Sequence, residues 1–78
     1  MGSQRIKNNP RIESLVTQRI KDYVAVREGM FETQLEQIRN SHKNSISALA
    51  LYCGENPDHY IEMYELGIEN YQEKGGEK

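Results

Sequence analysis

The stretch NPDHYIEMYELGIENYQEKGG, residues 56–76, decides the fold class. Asn56 is a good N-cap, because its side-chain oxygen can accept from an orphan N–H of a first helical turn. Pro57 suits the next position, where a missing N–H is no loss and φ is already set. Asp58 then places negative charge at the positive end of the helix dipole. Tyr60, Ile61, Tyr64, Ile68 and Tyr71 recur at helical steps with Met63 flanking, while Glu62, Glu65, Glu69 and Glu73 take the other side. That stripe predicts an amphipathic helix over 57–73, closed by Lys74-Gly75-Gly76.

Upstream, Ile46, Leu49, Ala50 and Cys53 form a shorter apolar set that Ser45 can cap, with Gly54 at the position that favours a left-handed residue after a helix. The spacing predicts a helix over 45–53. Before it, RNSHKNS at 39–45 has no apolar side chain and reads as an internal loop, with a solvated helical segment as the other reading. Further back, Asn9-Pro10 repeats the cap-and-proline pattern. Ile12, Val16, Ile20, Tyr23, Val26 and Met30 follow at steps of three or four, predicting a helix over 11–28. Phe31, Leu35 and Ile38 extend the pattern to 30–40. Gly29 costs about 1 kcal/mol inside a helix, so a continuous or kinked helix through it is favoured over a sharp turn. A helix over 11–40 would be about 45 Å long at 1.5 Å per residue. Such a helix could not cover its stripe within one chain, and it would need a second copy.

The expected architecture is therefore all-α: a small bundle of three to four helices (about 11–28, 30–40, 45–53 and 57–73) completed by dimerisation. Residues 1–9 read as a flexible arm, 10–73 as one helical domain, and 74–78 as a flexible tail. At 78 residues, with 36% hydrophobic and 28% charged side chains, the chain is too apolar for wholesale disorder. It is also too small to fill a core and line a deep pocket. No apolar run is long enough to cross a membrane, and no secretory leader is recognisable. The single cysteine, Cys53, cannot form an internal disulfide, which suits a reducing compartment and predicts a cytoplasmic protein.

The net charge of −2 conceals a gradient. Residues 1–28 hold six basic and three acidic side chains, a net +3; residues 29–53 balance; residues 54–78 hold two basic against seven acidic, a net −5. Opposite halves either face each other or meet external partners of opposite sign.

Catalytic chemistry has little to stand on. Asp58, His59 and Glu62 share a helix, but without a second histidine at i+4 or a cysteine pair they do not form a metal-ligand pattern. Cys53 sits near a helix C-terminus, where the dipole opposes a thiolate. No phosphate-binding or nucleophile motif is present. The reading is a non-enzyme with no cofactor, metal or small-molecule substrate.

Leu49-Ala50, Gly54, Pro57, Tyr60 and Ile61 resemble the helix-turn-helix of phage-type repressors, in which an apolar-Ala pair precedes the turn Gly by four residues. The resemblance runs from Leu49 to Gly67 and implies DNA binding. Glu55 departs from it, standing where that family has a buried aliphatic. The following helix is one residue too long before Gly67, and its outer face is acidic. Gly54 to Tyr71 is also similar to the second helix of ribbon-helix-helix repressors, which require a strand about a dozen residues before Gly54.

Two functions follow as expectations. The first is a small regulatory or adaptor protein, acting by protein–protein contact and self-association, with inhibition of a basic partner as one form. Its partner-binding residues would be Tyr60, Tyr64 and Tyr71 as aromatic anchors, with Glu62, Glu65 and Glu69 as steering charges. The second is a dimeric DNA-binding regulator using Arg5, Lys7, Arg11, Arg19, Lys21 and Arg27 on phosphates.

Overall fold

The computed structural model describes residues 8–71, and these form three α-helices with no strand among them. Helix α1 runs Pro10–Val26, a single 3₁₀ turn covers Arg27–Gly29, α2 runs Glu32–Tyr52, and α3 runs Pro57–Glu69. The arm before Asn8 and the tail after Tyr71 lie outside the described residues.

Helices α1 and α3 start in the same way. The Asn9 side chain accepts from the Arg11 amide at 2.9 Å, and that of Asn56 accepts from the Asp58 amide at 3.0 Å. Pro10 and Pro57 each occupy the first turn. Helix α2 ends in a Schellman turn: the Gly54 amide donates to the Leu51 carbonyl at 3.0 Å, and the Glu55 amide to the Ala50 carbonyl at 2.8 Å. Gly54 has φ 75°, the left-handed conformation that glycine adopts at no steric cost.

Three expectations are corrected. The chain is not helical through Gly29: Met30 and Phe31 are extended (ψ 154° and 156°), and they reverse the direction of the chain. This reversal lets α2 and α3 cover the α1 stripe that a single 45 Å helix would leave bare. The predicted helices 30–40 and 45–53 are one helix, and RNSHKNS lies inside it rather than in a loop. The stripe is unbroken because His42 carries it, with Leu35, Ile38, His42, Ile46, Leu49 and Cys53 at steps of three and four. Finally, α3 stops at Glu69, before Tyr71. The Asn70 amide and the Asn70 side chain both donate to the Leu66 carbonyl, at 2.9 Å each.

The core draws on all three helices: Ile12, Val16 and Tyr23 from α1, Ile46 and Ala50 from α2, and Tyr60, Tyr64 and Ile68 from α3. Burying side chains of this size stabilises the fold by roughly 1.5–3 kcal/mol each. Helices α1 and α3 run in the same direction and cross closely where Gly67 meets the Ile20 side chain. Helix α2 runs the opposite way, with Leu35, Ile38 and Leu49 packed against the shared core.

Candidate functional site

Two tyrosines determine how the core accommodates polar groups. The Tyr60 hydroxyl accepts from the Asn9 amide at 2.9 Å and donates to the Glu55 carboxylate at 3.2 Å. It thus ties the start of α1 to the segment before α3. Next to it, the His59 ring nitrogen Nε2 lies 2.8 Å from the Asn8 side-chain oxygen. The Glu55 carboxylate is accounted for here: where the repressor turn carries a buried aliphatic, this chain uses the carboxylate as the acceptor for Tyr60.

The second tyrosine lies in the seam between α2 and α3. Tyr64 Oη and His42 Nδ1 are 2.7 Å apart, with their rings edge-on. Burial pushes the Tyr64 phenol up to about 12. Its hydroxyl has no other hydrogen-bond partner among the described residues, so its proton goes to His42 Nδ1, which accepts as a neutral imidazole. Burial, followed by the positive charge of Arg19, holds His42 below its ordinary value, with Asp22 pulling the other way. Around this pair, Lys43 Nζ meets Glu65 Oε2 at 2.7 Å and Arg39 meets the same oxygen at 3.7 Å. The hydrogen bond from Lys43 is the largest cause of the lowered Glu65 carboxyl. Arg39 also stands 6.0 Å from the centre of the Tyr23 ring. Arg19 bridges to Asp22 at 3.3 Å. Every acid in this seam has a cation partner, and no buried side-chain N or O among the described residues lacks a hydrogen bond. The arrangement is one of neutralised, satisfied groups, and its one hydroxyl–imidazole pair, Tyr64 with His42, has the hydroxyl side chain fully buried.

The predicted partner surface is only partly assembled. Tyr60 and Tyr64 are 1% and 0% exposed, so they are core side chains rather than open anchors. They are buried because each hydroxyl finds a partner within the chain. Glu65 is half-buried and engaged by Lys43 and Arg39, so it is not a free steering charge. Glu62, Glu69 and Tyr71 are exposed as expected. The exposed aromatic and aliphatic side chains that the sequence reading passed over are Phe31, Leu51, Tyr52 and Leu66. Leu51 and Tyr52 occupy the last turn of α2, directly before the acidic start of α3.

The basic residues gather only in part. Arg5 and Lys7 lie outside the described residues. Arg11 and Lys21 stand about 80° apart around α1 at about 100° per residue, and Arg19 turns toward the seam with Asp22. Arg27, in the 3₁₀ turn, lines an open groove with Lys21, Glu28 and Tyr71. The ribbon-helix-helix likeness is overturned, because the residues that would supply its strand are helix α2. Among the described residues, no three His, Cys, Asp or Glu side chains come together to hold a metal ion, and no helix is long and apolar enough to cross a membrane. Comparison of the chain with protein-family models, curated proteins and solved structures finds no match.

Proposed function

We propose that this chain is a non-enzymatic helical binding protein that acts by protein–protein contact at the α2–α3 corner. Leu51 and Tyr52 are the anchors, and the exposed acids of α3 form the rim. The observation that carries this reading is the exposure of two adjacent large side chains, Leu51 at 63% and Tyr52 at 83%, on a corner whose other tyrosine, Tyr60, is buried. Tyrosine gives much contact area for few rotatable bonds, which suits a binding anchor. Asp58, Glu62 and Glu69 are exposed beyond them, and α3 contains no Lys or Arg. A partner with a basic surface matches that rim, and the like charge of a phosphate backbone opposes it. Nucleic-acid binding through Arg11, Lys21 and Arg27 has less support: only Lys21 and Arg27 line a common groove, and Glu28 stands in it with them.

Photo-crosslinking tests this assignment. A crosslinking residue at position 52 should capture a protein, and one at position 21 should not. With the captured protein, Tyr52→Ala should weaken binding by about 30-fold or more, as loss of an interface anchor does. Glu62→Gln should mainly slow association. Crosslinks confined to position 21, or binding to duplex DNA that weakens steeply with salt, would overturn the reading.

A further inference from the structure

The opposite end of α2 carries a feature that the fold does not explain. Helices α1 and α3 open on asparagine caps, but the N-cap of α2 is Phe31. Phenylalanine has no oxygen to offer a first-turn amide, and a Ser or Asn there would stabilise the helix by about 1 kcal/mol. The only side-chain help at this end is Gln34, whose side-chain oxygen accepts from the Phe31 amide at 3.2 Å. The phenylalanine ring is not packed in compensation: it is 78% exposed at the tip of the α1–α2 corner, beside Met30 at 36%. A large apolar ring thus replaces a cap and faces water. It forgoes a cap bond and gains almost nothing from burial.

One helical turn further along α2 lies an open groove of about 480 Å³, with Tyr23 and Leu35 as its apolar floor and Glu32, Thr33, Glu36 and Arg39 as its rim. Ring and groove are about 6 Å apart along the same helix axis. That adjacency suits a two-fold contact, in which each copy offers the same patch and each ring enters the other's groove. Arg27, in the turn that leads to Phe31 with Glu28 next to it, has no ion pair among the described residues; Glu32 and Glu36 on the groove rim have none either, and Arg39 on the same rim is taken up by Glu65. A two-fold contact would bring Arg27 and those two acids together.

We infer that the α1–α2 corner is a self-association surface: Phe31 of each copy seats on Tyr23 and Leu35 of the other, and Arg27 of each faces Glu32 and Glu36 of the other. The occupant is a second copy of this chain because both halves of the match, ring with cation and groove with acids, lie on one corner. This surface is distinct from the Leu51–Tyr52 end, about 30 Å away along α2. Two copies joined here would present two partner-binding ends.

Sedimentation of the full chain tests the inference over about 5 to 500 µM, the range in which contacts of modest area populate. The wild type should move from a 9.1 kDa species to one of twice that mass. Phe31→Ser should remain monomeric and, by restoring a cap, should unfold at a higher temperature than the wild-type monomer. Arg27→Glu should weaken association tenfold or more, and adding Glu36→Arg to it should restore association. A wild type that stays at 9.1 kDa throughout overturns the inference, as does a Phe31→Ser variant that associates like the wild type. Partner capture at position 52 should be unchanged in Phe31→Ser.

Discussion

His42 Nδ1 and Tyr64 Oη meet at 2.7 Å across the seam between α2 and α3, and this contact places an imidazole on the apolar stripe of α2. The direction follows from the partners: His42 Nδ1 is the one hydrogen-bond partner of Tyr64 Oη among the described residues, so the phenol proton goes there. His42 must therefore keep Nδ1 bare. A proton on His42 would turn that acceptor into a donor and leave the Tyr64 hydrogen without a partner. It would also add positive charge to a seam that already holds Arg19, Arg39 and Lys43, with Asp22 and Glu65 as the counter-charges.

Stability should consequently depend on pH through His42. Its folded value lies below the ordinary 6.5, so the unfolded chain binds the proton more readily. The sign follows from linkage: stability is complete above about 6.5 and falls as pH drops below it. Tyr64→Phe should cost about 1 kcal/mol at pH 8, the usual worth of one such hydrogen bond. It also removes the hydrogen bond that protonation of His42 would break, while burial and Arg19 stay in place, so the acid loss should be smaller in the variant but not absent. Urea denaturation at pH 8 and pH 5 should show the gap between the two proteins narrowing on acidification. Parallel losses would contradict this coupling.

Gly67 and Ile20 should be energetically coupled. A Cβ on residue 67 would run into the end of the Ile20 side chain, so Ile20 must rotate to admit it. Alanine in a helix gains about 1 kcal/mol over glycine. An off-rotamer Ile20 costs about the same. Gly67→Ala should therefore leave the melting temperature nearly unchanged on its own. In an Ile20→Val background, which lacks the obstructing methyl, the same change should stabilise by about 1 kcal/mol. A double-mutant cycle with no interaction energy would show that the crossing is looser than the structure has it.

The elements that the sequence announced correctly are those fixed by short-range chemistry. Asn9-Pro10, Asn56-Pro57 and Gly54 set the two helix starts and one helix end through bonds to residues close in sequence. The joining of 30–40 to 45–53 through residues 39–45 was not legible, because its signals are long-range. The stripe of α2 runs through His42, which counts as apolar only once Tyr64, 22 residues on, answers its nitrogen. The helix start is Phe31, which no capping rule selects. The fate of the tyrosines was hidden for the same reason. A tyrosine is core when its hydroxyl finds a partner in the chain, and the Asn9 amide is 51 residues from Tyr60. Tyr52 and Tyr60 look alike in the sequence, yet one is 83% exposed and the other 1%.

That last contrast supplies a test of how the chain is tied together. Tyr60 Oη is the one side-chain atom that joins the cap residue of α1 to the segment leading into α3. Tyr60→Phe keeps the ring in the core and removes only this link. The Asn9 amide then loses its acceptor in a partly buried place, at a cost of roughly 1–2 kcal/mol. The loss should be local as well as global, because the first turn of α1 depends on Asn9 being held where its side chain can cap Arg11. Amide hydrogen exchange should therefore quicken most at Asn9, Arg11 and Ile12. The amides of Ile46, Tyr64 and Ile68 should change only by the drop in global stability. Tyr52→Phe should alter neither set, since that ring faces water. If Tyr60→Phe quickens exchange evenly along all three helices, the hydroxyl contributes to the core as a whole, and α1 does not depend on this link for its start.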